Sequence, residues 1–360
     1  MLNFGFIFTG AFVFVIAALL TRAMILLDIR DVPNRRSSHE RPTPKSGGVA
    51  IAVAFVAGLI AIYWLQSLPR SGMGMYPARF ALFAALASII AAVAFLDDLF
   101  DLPLFSKLIA QFGAAVFFAI SISHIETIIF PGMGEVSLGL WGYGLTVLWI
   151  VFFMNAFNFM DGINGISAGS TVVATIFLGS IAASEGAYFI VVSCLCLGAA
   201  ALGFMIFNFP HGQIFMGDAG SQFIGFVMAS LAVFGESVEP ARLSIYLVPV
   251  IFFPFIFDVV VTLIYRALRG QNILRAHREH LYQIAIKLGA SHEQVSLAYF
   301  SLVALSGGVA VAVQSADPAQ RLLLIAALFP VYSILAGIVY RLGLKARVVQ
   351  HLVKRSNADQ

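Results

Sequence analysis

Apolar runs of about 20 residues recur along the whole chain, and each is long enough to cross the ~30 Å hydrocarbon core of a bilayer as a helix. None of them alternates polar with apolar residues, as the strands of a membrane barrel would. Composition agrees. The chain is 60% apolar and 11% charged, with a mean hydropathy of +0.94, whereas soluble domains hold roughly 45–50% and about 25%. The sequence therefore predicts an all-α, polytopic transmembrane bundle of about 11 spans. They fall near 4–27, 47–66, 79–96, 106–123, 139–157, 166–184, 187–207, 220–235, 244–265, 294–313 and 321–340. The eighth is short and reads as the candidate for a broken or tilted helix. The first lacks the charged start and the short apolar region of a secretory leader, so it reads as a retained span.

The same runs sort the basic residues. Alternating the connections between two sides places sixteen Lys and Arg on one side and four, namely Arg70, Arg79, Arg242 and Arg321, on the other; Arg22 lies near the inner end of the first span. The richer side is expected to be cytoplasmic, with the N-terminus outside and the C-terminus inside. Connections rich in Asp, Asn, His and Gly, at 28–47, 97–105, 158–165, 208–220 and 266–292, all fall on that side. Residues 1–342 read as a single transmembrane catalytic domain and 343–360 as a basic cytoplasmic tail. Because the basic residues form no contiguous face, nucleic acid is not an expected partner despite a pI near 8.9. Cys194 and Cys196 lie in an apolar run, where packing is the expected role.

Five polar clusters carry the chemistry. Asp97, Asp98 and Asp101 crowd three carboxylates onto one helical turn, which calls for a cation, a neighbouring Lys or Arg, or a proton; a solvated helix end beside Lys107 is the plainer explanation. Asn155, Asn158, Asp161 and Asn164 recur every third residue, with Gly162 and Gly165 allowing close backbone approach. Helix–helix hydrogen bonding would account for the asparagines but poorly for Asp161. Asn208 opens a stretch that ends in Phe215-Met-Gly-Asp218-Ala-Gly-Ser221, where a helix start would offer N–H groups to phosphate and Asp218 a carboxylate to a bridging cation; an ordinary N-cap is the alternative.

Asp258, inside the ninth span, must pair or protonate, and Arg266 two turns on is the expected partner. Arg275, His277, Arg278 and His280 suit a diphosphate or sugar better than a metal, because H-x-x-H lacks the i, i+4 spacing of helical zinc sites. Lys45 precedes Gly47 and Gly48 at the mouth of the second span, in a loop that also holds Arg35 and Arg36.

In order, P-T-P-K-S-G-G at 42–48, D-D-L-F-D at 97–101, N-A-F-N-F-M-D-G-I-N-G at 155–165, F-M-G-D-A-G-S at 215–221 and R-A-H-R-E-H at 275–280 resemble the polyprenyl-phosphate N-acetylhexosamine-1-phosphate transferase superfamily, glycosyltransferase family 4. The run of consecutive histidines in its peptidoglycan-translocase branch is replaced here by His277-Arg-Glu-His280, which resembles the branch that initiates O-antigen or common antigen. The resemblance implies a UDP-N-acetylsugar donor and a polyprenyl-phosphate acceptor in the membrane lipid. It also implies a bacterial inner-membrane location, and Mg²⁺ or Mn²⁺ as cofactor. It assigns Asp97, Asp98, Asp161 and His280 to catalysis. Lys45, Asn158, Asn208, Phe215, His277 and Arg278 would bind substrate, and Asp218 and Asp161 would hold metal. A homodimer is compatible with it, and the identity of the donor sugar stays open. A secondary transporter is the rival class, but transporters place such residues near the midplane on repeated broken helices, and no repeat is visible here.

Overall fold

A computed structural model describes residues 4–31, 42–65, 77–130, 134–237, 243–273 and 277–349. The expectations for Arg35, Arg36, Arg275 and residues 350–360 of the tail lie outside these. The described chain is helical, with α1 (Phe4–Leu27), α2 (Gly48–Leu65), α3 (Pro77–Phe100), α4 (Leu104–Ser121), α5 (Trp141–Met160), α6 (Ile166–Glu185), α7 (Tyr188–Asn208) and α8 (Gly217–Ser237) forming the bulk of the bundle. After them come α9 (Leu247–Ile251), α10 (Phe253–Leu268), α11 (Leu281–Lys287), α12 (His292–Ser315) and α13 (Pro318–Lys345). Nine of the described helices are long and apolar enough to cross a membrane, and α2 is a shorter apolar one. The chain is a multi-pass membrane protein.

Two elements differ from expectation. The eighth span is not broken: α8 runs 21 residues without interruption, and every residue from Ala219 to Gly235 is buried. It is the axle of the bundle, packed on α2, α3, α5 and α9. The break falls in the ninth span, at Phe252 (φ −92°, ψ 20°), between α9 and α10. Pro254 explains it, since its ring excludes the carbonyl four residues back and it brings no N–H to the helix ladder. Two short antiparallel pairs also escaped the sequence reading. They are β1 (Arg30–Asp31) with β2 (Thr43–Pro44), and β3 (Thr127–Phe130) with β4 (Gly134–Ser137).

Much of the phenylalanine content faces inward. Phe55, Phe83, Phe118 and Phe189 meet Phe223, Phe226 and Phe234 of α8 edge-on or stacked, while Phe153, Phe157, Phe252 and Phe255 form a second cluster at the helix break. Between apolar helices in lipid there is little hydrophobic drive, so close packing of large rings and small residues holds the bundle together. The tightest approach is between backbones. A Cβ built on Gly48 of α2 would lie 2.0 Å from the Cα of Gly220 in α8.

That approach helps to place the site. The starts of α2, α4, α8 and α12 and the ends of α3, α5 and α7 meet at one end of the bundle, so seven helix termini present their last or first turns to one space. The segment before α2 is tied to the segment before α8: Phe215 N–H donates to Pro44 O (2.8 Å), Gly47 N–H to Phe215 O (2.9 Å) and Gly48 N–H to Met216 O (2.8 Å).

Candidate active site

The space between these termini is a cavity of about 410 Å³. Six carboxylates line it, from Asp31, Asp97, Asp98, Asp101, Asp161 and Asp218, against two lysines, Lys45 and Lys107. Asn158, Asn164, Asn208, Phe215 and His292 complete the polar and aromatic wall.

Each acid has a distinct setting. Asp97 is buried at the end of α3; it accepts the Leu102 N–H at 2.8 Å and forms an ion pair with Lys107. Asp98, also buried, reaches into the first turn of α8 and accepts the Asp218 N–H (3.0 Å), the Ala219 N–H (3.2 Å) and the Ser46 hydroxyl (3.1 Å). Gly217, at φ +72°, makes room for it: a Cβ there would lie 2.5 Å from an Asp98 carboxylate oxygen. Asp218 is about a third exposed, with one oxygen accepting from Asn158 (2.9 Å) and the other from Gln222 (3.3 Å), 3.6 Å from the Lys107 ammonium. Asp161 follows α5. Burial pushes its carboxyl up to about 7, with the charges of Asp218 and Asp98 acting in the same direction.

Asn208 lines the cavity but spends its amide on backbone. Its oxygen accepts the Gly165 N–H (2.7 Å) and its nitrogen donates to Ile214 O (2.8 Å), which ties the two polar loops together. Lys107, read from the sequence as a neighbouring charge, is central: it bridges Asp97 and Asp218, from α3 and α8. Asp31 and His292 are further lining residues that no motif signalled.

The residues expected beyond α10 stand apart. His277, Arg278 and His280 are not among the residues lining this cavity. The expected pairing of Asp258 with Arg266 is replaced: Arg266 and Arg269 both engage Glu279, the latter at 3.3 Å. Asp258, fully buried, accepts from the His280 ring (3.1 Å), the Leu281 N–H (2.9 Å), the Tyr282 N–H (3.3 Å) and the Tyr299 hydroxyl (2.6 Å). It thereby anchors the start of α11, where an anion is favoured. The Tyr282 hydroxyl donates to Phe159 O at 3.1 Å, fastening this segment beside the loop that carries Asp161. Burial, followed by His280, drives the His277 imidazole down to about 4, so it is neutral at physiological pH.

Among the described residues no three His, Cys, Asp or Glu side chains converge as a ready-made metal cage. Mg²⁺ does not need one, since it binds through one or two carboxylates together with substrate phosphates and waters. Six carboxylates against two lysines fit that chemistry: an anionic ligand enters such a space only with cations to neutralise it.

A polar, acid-rich cavity at one end of a multi-pass helical bundle defines a membrane protein built to handle a charged ligand at a bilayer boundary. Residues 80–236 match the family described as Glycosyl transferase family 4. Among its relatives, the probable undecaprenyl-phosphate N-acetylglucosaminyl 1-phosphate transferase of Bacillus subtilis (strain 168) is 29% identical over 358 residues, 98% of this chain and 97% of that protein. The undecaprenyl-phosphate alpha-N-acetylglucosaminyl 1-phosphate transferase of Salmonella typhi is 27% identical, over 85% of this chain and 81% of its own. The phospho-N-acetylmuramoyl-pentapeptide-transferase of Lactiplantibacillus plantarum is 26% identical, over 76% and 85% respectively.

Proposed function

We propose that this protein transfers an N-acetylhexosamine 1-phosphate, with GlcNAc as the first donor to test, from a UDP-sugar to a polyprenyl phosphate such as undecaprenyl phosphate. The products are polyprenyl-diphospho-sugar and UMP, the opening step of O-antigen or related envelope polysaccharide synthesis. The observation that carries this reading is the meeting of Lys45, Asp97, Asp98, Lys107, Asp161 and Asp218 in one cavity at a bundle end. The names of relatives such as the Bacillus subtilis and Salmonella typhi proteins, both GlcNAc-1-phosphate transferases, supply the substrate class.

In the reaction, a lipid phosphate oxygen attacks the sugar-linked phosphorus in line. The bond from that phosphorus to the bridging oxygen breaks, and UMP departs with the electron pair. Asp218, with Asp161 as second ligand, would hold Mg²⁺ or Mn²⁺, which when bound would neutralise the donor diphosphate. Lys45 and Lys107 lower the repulsion between two anionic reactants. The lipid phosphate, with a second pKa near 6, is already largely dianionic at neutral pH, so Asp97 and Asp98 serve to orient rather than to deprotonate. Phe215 offers a stacking face to uracil, and Asn158 steadies Asp218. His277, Arg278 and His280 lie outside the cavity lining, and their part is to support the start of α11, which His280 ties to Asp258. The bias of sixteen basic residues to four supports an inner-membrane protein with its N-terminus outside, its C-terminus inside and the cavity facing the cytoplasm.

The test is direct. Membranes holding the protein are incubated with polyprenyl phosphate, Mg²⁺ and a panel of radiolabelled UDP-N-acetylsugars, and butanol-soluble label and free UMP are measured. Absence of labelled lipid with every donor, from protein shown to be folded, would remove the proposal. Labelling of cysteines placed at positions 31 and 292 by an impermeant reagent from one side only tests the orientation.

A further inference from the structure

Gln111 of α4 and Gln222 of α8 are buried, 2% and 6% exposed, in helices of a membrane bundle. A primary amide there is costly unless each of its groups finds a partner. The two are links in a chain. Asn155 Nδ2 of α5 donates to Gln111 Oε1 at 2.8 Å, Gln111 Nε2 donates to Gln222 Oε1 at 3.1 Å, and Gln222 Nε2 donates to Asp218 Oδ2 at 3.3 Å. The direction is fixed from its end. An ionised carboxylate only accepts, so Gln222 must present its nitrogen to Asp218 and its oxygen to Gln111, and the same choice passes on to Asn155. Asn155 spends its second N–H on Val151 O at 2.8 Å. Asn158, one turn along α5, donates to the other Asp218 oxygen at 2.9 Å. Both oxygens of Asp218 are therefore traced back to α5, one directly and one through two glutamines.

We infer that Gln222, Gln111 and Asn155 form a one-way amide relay that holds the Asp218 carboxylate in the orientation that receives a divalent cation, making the two glutamines positioning residues. This rests on the assignment of Asp218 as metal ligand. Lys107 pulls on the same oxygen from 3.6 Å, and the Gln222 amide at 3.3 Å is what opposes its rotation toward the ammonium. Successive amides also polarise one another toward the terminal carboxylate.

The test uses the full chain purified in detergent, with free Mn²⁺ followed by electron paramagnetic resonance and transfer activity measured in parallel. Gln222→Met, close in volume and unable to donate, is expected to raise the Mn²⁺ Kd about tenfold, the usual effect of losing a partner of a metal ligand. Its KM for the UDP-sugar at saturating Mn²⁺ stays within about twofold of wild type, because the donor itself has lost no contact. The double variant Gln111→Met with Gln222→Met binds Mn²⁺ no more weakly than Gln222→Met alone, as members of one chain do. Wild-type affinity in Gln222→Met, or full additivity in the double variant, overturns the relay. Wild-type protein that binds no Mn²⁺ overturns the metal assignment and the relay with it. Should Gln222→Met fail to fold, Gln111→Met is read in its place; an unchanged Kd there overturns the relay, and a rise of about threefold supports it.

Discussion

Asp98, at the end of α3, accepts the backbone N–H of Asp218 at 3.0 Å, so one acid fixes the main chain of the other across 120 residues of sequence. With the Ala219 N–H also donating to it, Asp98 acts as the cap of α8. A group occupied in this way is poorly placed to take a proton from substrate.

Asp98→Asn is accordingly expected to lower transfer by the same factor near pH 6.5 and near pH 8.5, and to cost about 1–2 kcal/mol of stability, the usual loss for a weakened cap. Rates normalised to folded protein, together with melting in detergent, check both. A deficit that grows as pH falls would restore a proton-accepting role.

Asp218→Asn should reduce turnover roughly 100-fold or more, the scale seen when a group stabilising transition-state charge is lost, with wild-type amounts of folded protein. Full activity would move the metal elsewhere among the six acids.

Lys107→Met leaves Asp97 and Asp218 without the ammonium they share. Divalent cation should then stabilise the variant more than wild type, since it replaces the lost charge. Melts with and without Mg²⁺ decide; an equal shift in both proteins would show that lysine and metal do not meet at these acids.

Gly48→Ala drives a Cβ into the Gly220 backbone, which cannot swing aside as a side chain would. A loss of about 3 kcal/mol or more is expected, whereas Gly113→Ala, with nothing within 4 Å of its Cβ, should be neutral or mildly stabilising. Thermal inactivation of the two variants compares them.

Acid should weaken the fold through His277. Its folded value of about 4 lies below the ordinary 6.5. The unfolded chain therefore binds the extra proton first, and the stability this group confers is complete above about 6.5 and drains away as pH falls toward 4. His277→Gln should flatten that limb of a melting-temperature profile; an unchanged slope would point to other groups.

Much of this was legible in the sequence because the bilayer forces it. Backbone in lipid must be helical, so runs of about 20 apolar residues announce α1, α3 and α5 to α8 with little room for error. Asp97, Asp98, Asp161 and Asp218 were visible because carboxylates at span ends need a reason. What escaped notice was whatever depends on a partner distant in the chain. Asp258 pairs with His280, 22 residues on, rather than with Arg266 on its own helix, since a chain reversal offsets helical spacing. Gln111 and Gln222 carry no charge and sit among apolar neighbours, so nothing local marks them as linked. A short apolar stretch makes the eighth span look interrupted, yet the break lies at Phe252 in the ninth, where Pro254 with its missing N–H is the better signal.

The axle position of α8 has one more consequence. A helix enclosed on every side from Ala219 to Gly235 never touches an acyl chain, so changes in bilayer thickness or fluidity reach its first turn only after the surrounding helices have absorbed them. The outermost elements, such as α13, where few residues are buried, act as the gasket. The acid-bearing tip of α8 is left to keep its geometry while the membrane around the protein changes.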